Sequence, residues 1–281
     1  MKRINIIVFT FVIVAFILMI RCSGNKKEFK NAYPVFPSNG SLVLAGGGRI
    51  NTEIYKEFVK LAGGNEAKII IIPSADPIQF QKNSLYAENE FKKIGALDLY
   101  ILHTTDKSMA NSNEFVEVLI GASGVWFTGG WEWRITRTYL HTKVHKELTE
   151  LLKRGGVIGG NSAGASVLGE FLISDRLESN ISESEWDFNG FGFLKNAVID
   201  QHMNRDDKYE TFAGYMRELP HLFGIGIDEN TALIISDNSM RIIGEDKATI
   251  YNYFADSLKI KEDINYYFLY PGDFLFFDNV K

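Results

Sequence analysis

The sequence predicts an α/β fold: a three-layer, mostly parallel sheet flanked by helices and extended at its C-terminal end by antiparallel strands. Three features carry that expectation. From residue 41 to about 170, short continuous apolar runs alternate with longer amphipathic stretches, the pattern of doubly buried strands joined by crossover helices. Glycine- or serine-rich turns at 46–48, 74, 129–130 and 160–164 follow these runs, which puts them at the carboxyl ends of the strands, where such sheets bind ligands. Beyond the turn at 160–164 the pattern changes to successive strands.

Residues 1–22 stand apart. Lys2 and Arg3 give a positive start, and 6–20 is an almost unbroken apolar run, too short for the roughly 20 residues of a spanning helix and suited to a secretory signal. The single cysteine, Cys22, follows directly and is a candidate lipid-attachment residue; the alternative is an uncleaved signal anchor closed by Arg21. Either reading puts the folded part outside the cytoplasm, tethered to a membrane. With one cysteine there is no intramolecular disulfide, so packing must hold the fold. Residues 23–38 are polar, then punctuated by prolines, and read as a linker to a domain over 39–281. A net charge near −5 gives no reason to expect nucleic acid as a partner.

Within the domain, 41–45 is a strand ending in Gly46-Gly47-Gly48, and Asn51 or Thr52 can cap a helix to about 62. A strand at 68–72 stops at Pro73, a helix lies near 86–94, a strand over 97–102 and a helix over 113–120. The strand at 125–128 breaks at Gly129-Gly130, and one long helix is expected over 134–154. A strand at 157–159 enters the serine turn, and further strands are expected at 197–199, 223–227, 232–236, 240–243 and 249–254.

Residues 157–166, VIGGNSAGAS, hold a G-x-S-x-G turn that places Ser162 between strand and helix with its hydroxyl clear of the backbone. The flanking glycines let strand and helix approach closely, and the amide of Ala163 opens the helix toward any oxyanion formed at the serine. A serine nucleophile needs a base, usually a histidine oriented by a carboxylate. His103, His141, His145 and His221 read as surface or loop residues. His202 differs, because Asp200-Gln201-His202 continues an apolar strand to its carboxyl end. For the acid, Asp228 and Glu229 close the strand at 223–227; alternation sends them to opposite faces, so one orients His202 and the other caps the next turn. Asp175, Glu178 and Glu183, between serine and histidine, compete. Gly130 is the natural second oxyanion donor, with Gly129 beside it. Gly46-Gly47-Gly48 lacks the spacing of a phosphate loop, and no cluster of ligating residues has metal spacing, so no cofactor is expected.

The segments SLVLAGGG (41–48), IIIIPSAD (69–76), VWFTGGWEWRIT (125–136), VIGGNSAGASVLGE (157–170), VIDQHMNR (198–205) and GIGIDENTALII (224–235) together resemble the cyanophycinase and peptidase E family of serine peptidases, family S51. The resemblance implies a fold similar to class I glutamine amidotransferases, Ser162 as nucleophile and His202 as base. The acid of that family has been placed either between these two or in the GIDE-type segment; Glu229 is favoured here, with Glu178 second. The family usually carries an acid or Asn and then Gln after its double glycine, where this chain has Trp131-Glu132, and spaced arginines after the histidine, where it has Asp206, Lys208 and Thr211, with Arg205 slightly earlier. An acid and a hydroxyl in place of cationic forks remove bidentate carboxylate recognition. The expectation is therefore a peptidase on another peptide or isopeptide, its substrate lying against Gly129, Trp131, Glu132, Asp200 and Gln201 and presenting a basic or aromatic group to Glu132, Trp131 and Trp133. Dimers are frequent in the family, so the resemblance also implies a homodimer. Two alternatives stand beside this reading: a peptide-binding protein that has lost turnover, and an α/β-hydrolase esterase, whose triad runs serine, acid, histidine.

Overall fold

The structure, a computed structural model, describes residues 32–76, 78–173, 189–205, 208–252 and 266–277. Among these residues five strands make the parallel core: β1 (Ser41–Ala45), β2 (Lys68–Ile72), β3 (Asp98–Ile101), β4 (Gly124–Phe127) and β5 (Val157–Asn161). Later come β6 (Gly169–Phe171), β7 (Leu194–Gln201), β8 (Phe223–Ile227), β9 (Thr231–Ser236), β10 (Ser239–Gly244), β11 (Ala248–Tyr251), β12 (Tyr266–Leu269) and β13 (Phe274–Phe276). Among the described residues the central sheet runs β13-β10-β9-β1-β5-β4-β2-β3. It is parallel from β1 through β5, β4 and β2 to β3, and antiparallel where β9, β10 and β13 extend it.

The expected mostly parallel α/β sheet is thus present, and the C-terminal strands do more than extend it. A second sheet, β12-β11-β8-β7-β6, forms beside it, with β6, β7 and β8 parallel. The strand that leads into His202 therefore belongs to a different sheet from the one that leads into Ser162.

Alternation along the strands explains the layering. Val43, Ala45, Ile69 and Ile71 face one way, into a core with helices α1 (Thr52–Leu61) and α2 (Phe80–Lys93). There Tyr55, Phe58 and Phe91 close around Trp126 of β4, with ring centroids 5.2 to 5.9 Å from it. Leu42, Leu44, Ile70 and Ile72 face the other way, and share a core with Ile199, Ile225 and Ile250 of the second sheet. The outer face of that sheet is closed by Phe212 and Met216 of a late helix (Tyr209–Glu218) packed with Val198 and Tyr251.

The helix expected over 134–154 is two. Two short helices, α3 (Lys107–Ala110) and α4 (Asn113–Glu117), precede it; then α5 (Glu132–Tyr139) and α6 (Lys143–Lys153) meet at a bend where His141 has a φ of 62°. Tyr139 is buried with its hydroxyl 2.6 Å from Ser74 Oγ, and the buried Thr142 donates to Tyr139 O at 2.6 Å. These bonds hold the bend, so α6 can turn Val144, Leu148, Leu151 and Leu152 to the core. Among the described residues the remaining α-helices are α7 (Ala163–Ser166) and α8, the late helix over Tyr209–Glu218.

Candidate active site

Ser162 follows β5 and precedes α7 with φ 55° and ψ −127°, a backbone conformation costly for a residue with a Cβ. Several contacts hold it there. Its amide donates to Ala45 O of the neighbouring strand at 2.9 Å. The preceding Asn161 accepts a hydrogen bond from Trp126 Nε1 at 3.3 Å, which ties the turn to the aromatic core. A Cβ at Gly164 would sit 2.3 Å from Phe127 O, so glycine is what lets the helix lie on β4. As the first residue of α7, Ala163 has an amide with no partner four residues back in the helix.

His202 stands one residue past β7, also at positive φ, 56°, its amide bound to Gly46 O at 3.0 Å. Its Nε2 lies 2.9 Å from Ser162 Oγ, and its Nδ1 is hydrogen-bonded to Glu229 Oε1. With Nε2 accepting from the serine hydroxyl, Nδ1 carries the ring proton and donates it to the carboxylate. Burial of the imidazole lowers its pKa, against the opposing pull of Glu229; Arg205 and Lys208 add to the lowering. Glu229 is fixed in turn: its amide donates to Asn204 Oδ1 at 3.0 Å, and Arg205 Nη1 lies 3.9 Å from its Oε1.

Asp228 does not cap the next turn as its position suggests. Its side chain is fully buried on the other face, accepting from Tyr209 at 2.7 Å and Lys247 Nζ at 3.0 Å. The competing acids Asp175, Glu178 and Glu183 lie outside the described residues, as do Cys22 and Asp206. Among the other histidines, His141 and His221 are exposed as expected. His103 and His145 are not simply surface residues: His103 Nδ1 lies 2.8 Å from the buried Ser74 Oγ, and His145 Nε2 lies 3.0 Å from Phe191 O.

The double glycine touches the serine directly: a Cβ on Gly129 would be 3.1 Å from Ser162 Cβ, and Gly130 packs against Ala75. Trp131, 46 % exposed, precedes α5, and Glu132 opens that helix. Two cavities of about 360 and 350 Å³ meet at Gly130, Ser162 and His202. Asp76, Asn83 and Thr128 line the first; Trp131, Glu132, Ile173, Asp200, Gln201 and Lys208 line the second. In the second, Gln201 Nε2 donates to Glu132 Oε1 at 3.0 Å, and Lys208 Nζ is 3.5 Å from Asp200. Thr211 is exposed on α8.

The residues that sequence reasoning left without a role are Gly46-Gly47-Gly48. A Cβ on Gly47 would lie 2.3 Å from His202 Cε1, and one on Gly48 would lie 2.7 Å from Glu229 Oε2. The run has no phosphate spacing because it cradles an imidazole and a carboxylate. Three consecutive glycines after a strand were the available signal. Among the described residues, no group of three or more His, Cys, Asp and Glu side chains could hold a metal ion.

Residues 42–243 match peptidase family S51. The chain belongs to that family. The S51 peptidase is 30% identical to a cyanophycinase of Synechococcus elongatus over 217 residues, 74% of this chain and 67% of that one. It is 29% identical to a cyanophycinase of Geminocystis herdmanii over 203 residues, 70% and 74% of the two chains. Among solved structures it is similar to a peptidase from an acI-B1 actinobacterium, with a TM-score of 0.69 at 25% identity over 85% of this chain and 97% of that one. It is accordingly a cyanophycinase-like peptidase of the serine type.

Proposed function

We propose that this peptidase hydrolyses a peptide or isopeptide bond through an acyl-enzyme on Ser162, with His202 as base and Glu229 as the acid that orients it. The observation that carries the reading is the continuous chain from Ser162 Oγ through both ring nitrogens of His202 to Glu229. Oγ attacks the scissile carbonyl carbon while its proton passes to His202 Nε2. The amides of Ala163 and Gly130 hold the resulting oxyanion. When the tetrahedral intermediate collapses, the carbon–nitrogen bond breaks and the leaving amine takes the proton from Nε2. Water then repeats the sequence on the ester, with His202 as base, and releases the acid. The two cavities meeting at Ser162 take the portions of substrate on either side of the bond.

A serine-directed fluorophosphonate tests the nucleophile. Wild type is labelled and Ser162→Ala is not, and only wild type releases product from a dipeptide and isopeptide library; equal labelling of the two sinks the assignment. We further propose that the domain is held outside the cytoplasm by its N-terminus, a reading supported by the apolar run over 6–20 and by Cys22. Fatty-acid labelling and fractionation of wild type and Cys22→Ala test it, with loss of both the label and the membrane association expected in the variant.

A further inference from the structure

An ionised carboxylate only accepts hydrogen bonds, whereas a carboxamide has a donating and an accepting end. That asymmetry organises the second cavity. Glu132 is half-buried as a residue, with its carboxyl deep in the cavity wall, and it receives Gln201 Nε2 at 3.0 Å. The nitrogen of the amide is therefore committed to Glu132, and its oxygen, Oε1, is turned to Ser162, 3.4 Å from Oγ. An acceptor thus faces the reacting centre from the second cavity, the one assigned in this proposal to the acyl part of the substrate. The Asp200 carboxylate lines the same cavity. The ammonium of Lys208 is drawn to its wall, 3.5 Å from Asp200 Oδ1 and 3.4 Å from the backbone oxygen of Gln201.

We propose that Glu132 is a positioning residue that sets the polarity of this cavity: by holding Gln201 with its oxygen inward, it selects substrates whose acyl residue presents a protonated amine and disfavours those that present a carboxylate. The inference rests on Ser162 as the nucleophile and adds the substrate class. A buried acceptor left facing a second acceptor is the arrangement that hydrogen-bonding sites reject most strongly.

A protonated Glu132 can instead donate to Gln201 Oε1. The amide then turns over, Nε2 faces Ser162, and the preference for an amine is lost. Burial raises the Glu132 pKa; Asp200 adds to the rise, while Gln201 and Lys208 oppose it. His202 and Arg205 are the other titratable groups that line the cavity. The preference for amines is therefore strongest at alkaline pH and weakens as pH falls through the raised Glu132 value.

Two peptides that differ only in the residue donating the scissile carbonyl, ornithyl in one and glutamyl in the other, provide the test. For wild type at alkaline pH, kcat/KM favours the ornithyl peptide at least tenfold, and in Glu132→Gln the ratio falls by about tenfold or more, because a glutamine there can present either end to Gln201. A wild-type preference for the glutamyl peptide, or an unchanged ratio in the variant, overturns the proposal. Should Glu132→Gln fail to fold by thermal melting, the wild-type ratio across pH decides: a decline toward mildly acidic pH supports the proposal and a flat ratio overturns it. Fluorophosphonate labelling of wild type is read alongside. Absence of label removes the nucleophile itself, whereas labelling with an unchanged ratio removes only the role of Glu132.

Discussion

Replacing Gly47 by alanine separates catalytic geometry from fold. Gly47 has a φ of 100°, and a Cβ built on it lies 2.3 Å from His202 Cε1, 2.6 Å from Nε2 and 3.0 Å from Nδ1. Carbon atoms settle at about 3.5 Å or more, so the imidazole must retreat by roughly 1 Å. It cannot do so and keep its bonds. The ring is held between Ser162 Oγ at 2.9 Å and Glu229, and its amide is tied to Gly46. A retreat of that size takes the serine bond out of hydrogen-bonding range, and a misplacement of about 1 Å costs on the order of a hundredfold in rate. The substitution also forces alanine into a left-handed backbone, which costs about 1–2 kcal/mol wherever it happens. Gly155→Ala is the control: its φ is 89°, and a Cβ there meets nothing within 4 Å. Both variants should therefore show a similar backbone penalty in thermal melting. The rate of fluorophosphonate labelling should fall about a hundredfold in Gly47→Ala and stay at the wild-type level in Gly155→Ala. Labelling of Gly47→Ala at the wild-type rate, in a folded protein, would refute the claim that this glycine makes room for the base.

Two further outcomes follow from the charges behind the site. Lys247→Met strips the fully buried Asp228 of its ammonium partner at 3.0 Å, so denaturant unfolding should show a loss of about 3–5 kcal/mol; a loss under about 1 kcal/mol means the pair is not holding the end of β8. For the pH profile, burial holds the His202 pKa below its ordinary value of 6.5. As the proposed base, His202 works neutral, so kcat/KM should rise with pH along an acid limb centred below 6.5 and be level through neutrality. A limb centred above neutrality contradicts that environment.

Much of this molecule was legible in the chain. The runs at 41–45, 68–72 and 157–161 are apolar at nearly every position, and a strand buried on both faces admits little else, so the parallel core follows from composition at short range. Ser162 was legible for a similar reason, since a G-x-S-x-G turn between such a strand and a helix is a local, sterically defined object. His202 and Glu229 could be nominated because each stands at the carboxyl end of an apolar run.

What the chain could not show is which of those ends meet. Ser162 closes a strand of one sheet and His202 a strand of another, and their approach to 2.9 Å depends on how the two sheets share a core through Leu42, Leu44, Ile199 and Ile225. The choice between Asp228 and Glu229 was likewise tertiary: the strand sends them to opposite faces, and packing decides that one meets Lys247 and Tyr209 and the other His202. Gly47 and Gly48 lacked a role in sequence because the side chains they accommodate, His202 and Glu229, arrive from more than 150 residues away. The bend at His141, held by a tyrosine hydroxyl bonded to Ser74 on a different strand end, was invisible for the same reason. Local sterics and hydrophobic burial act between near neighbours and are written in the chain; the encounter of distant strand ends is decided by whole-layer packing.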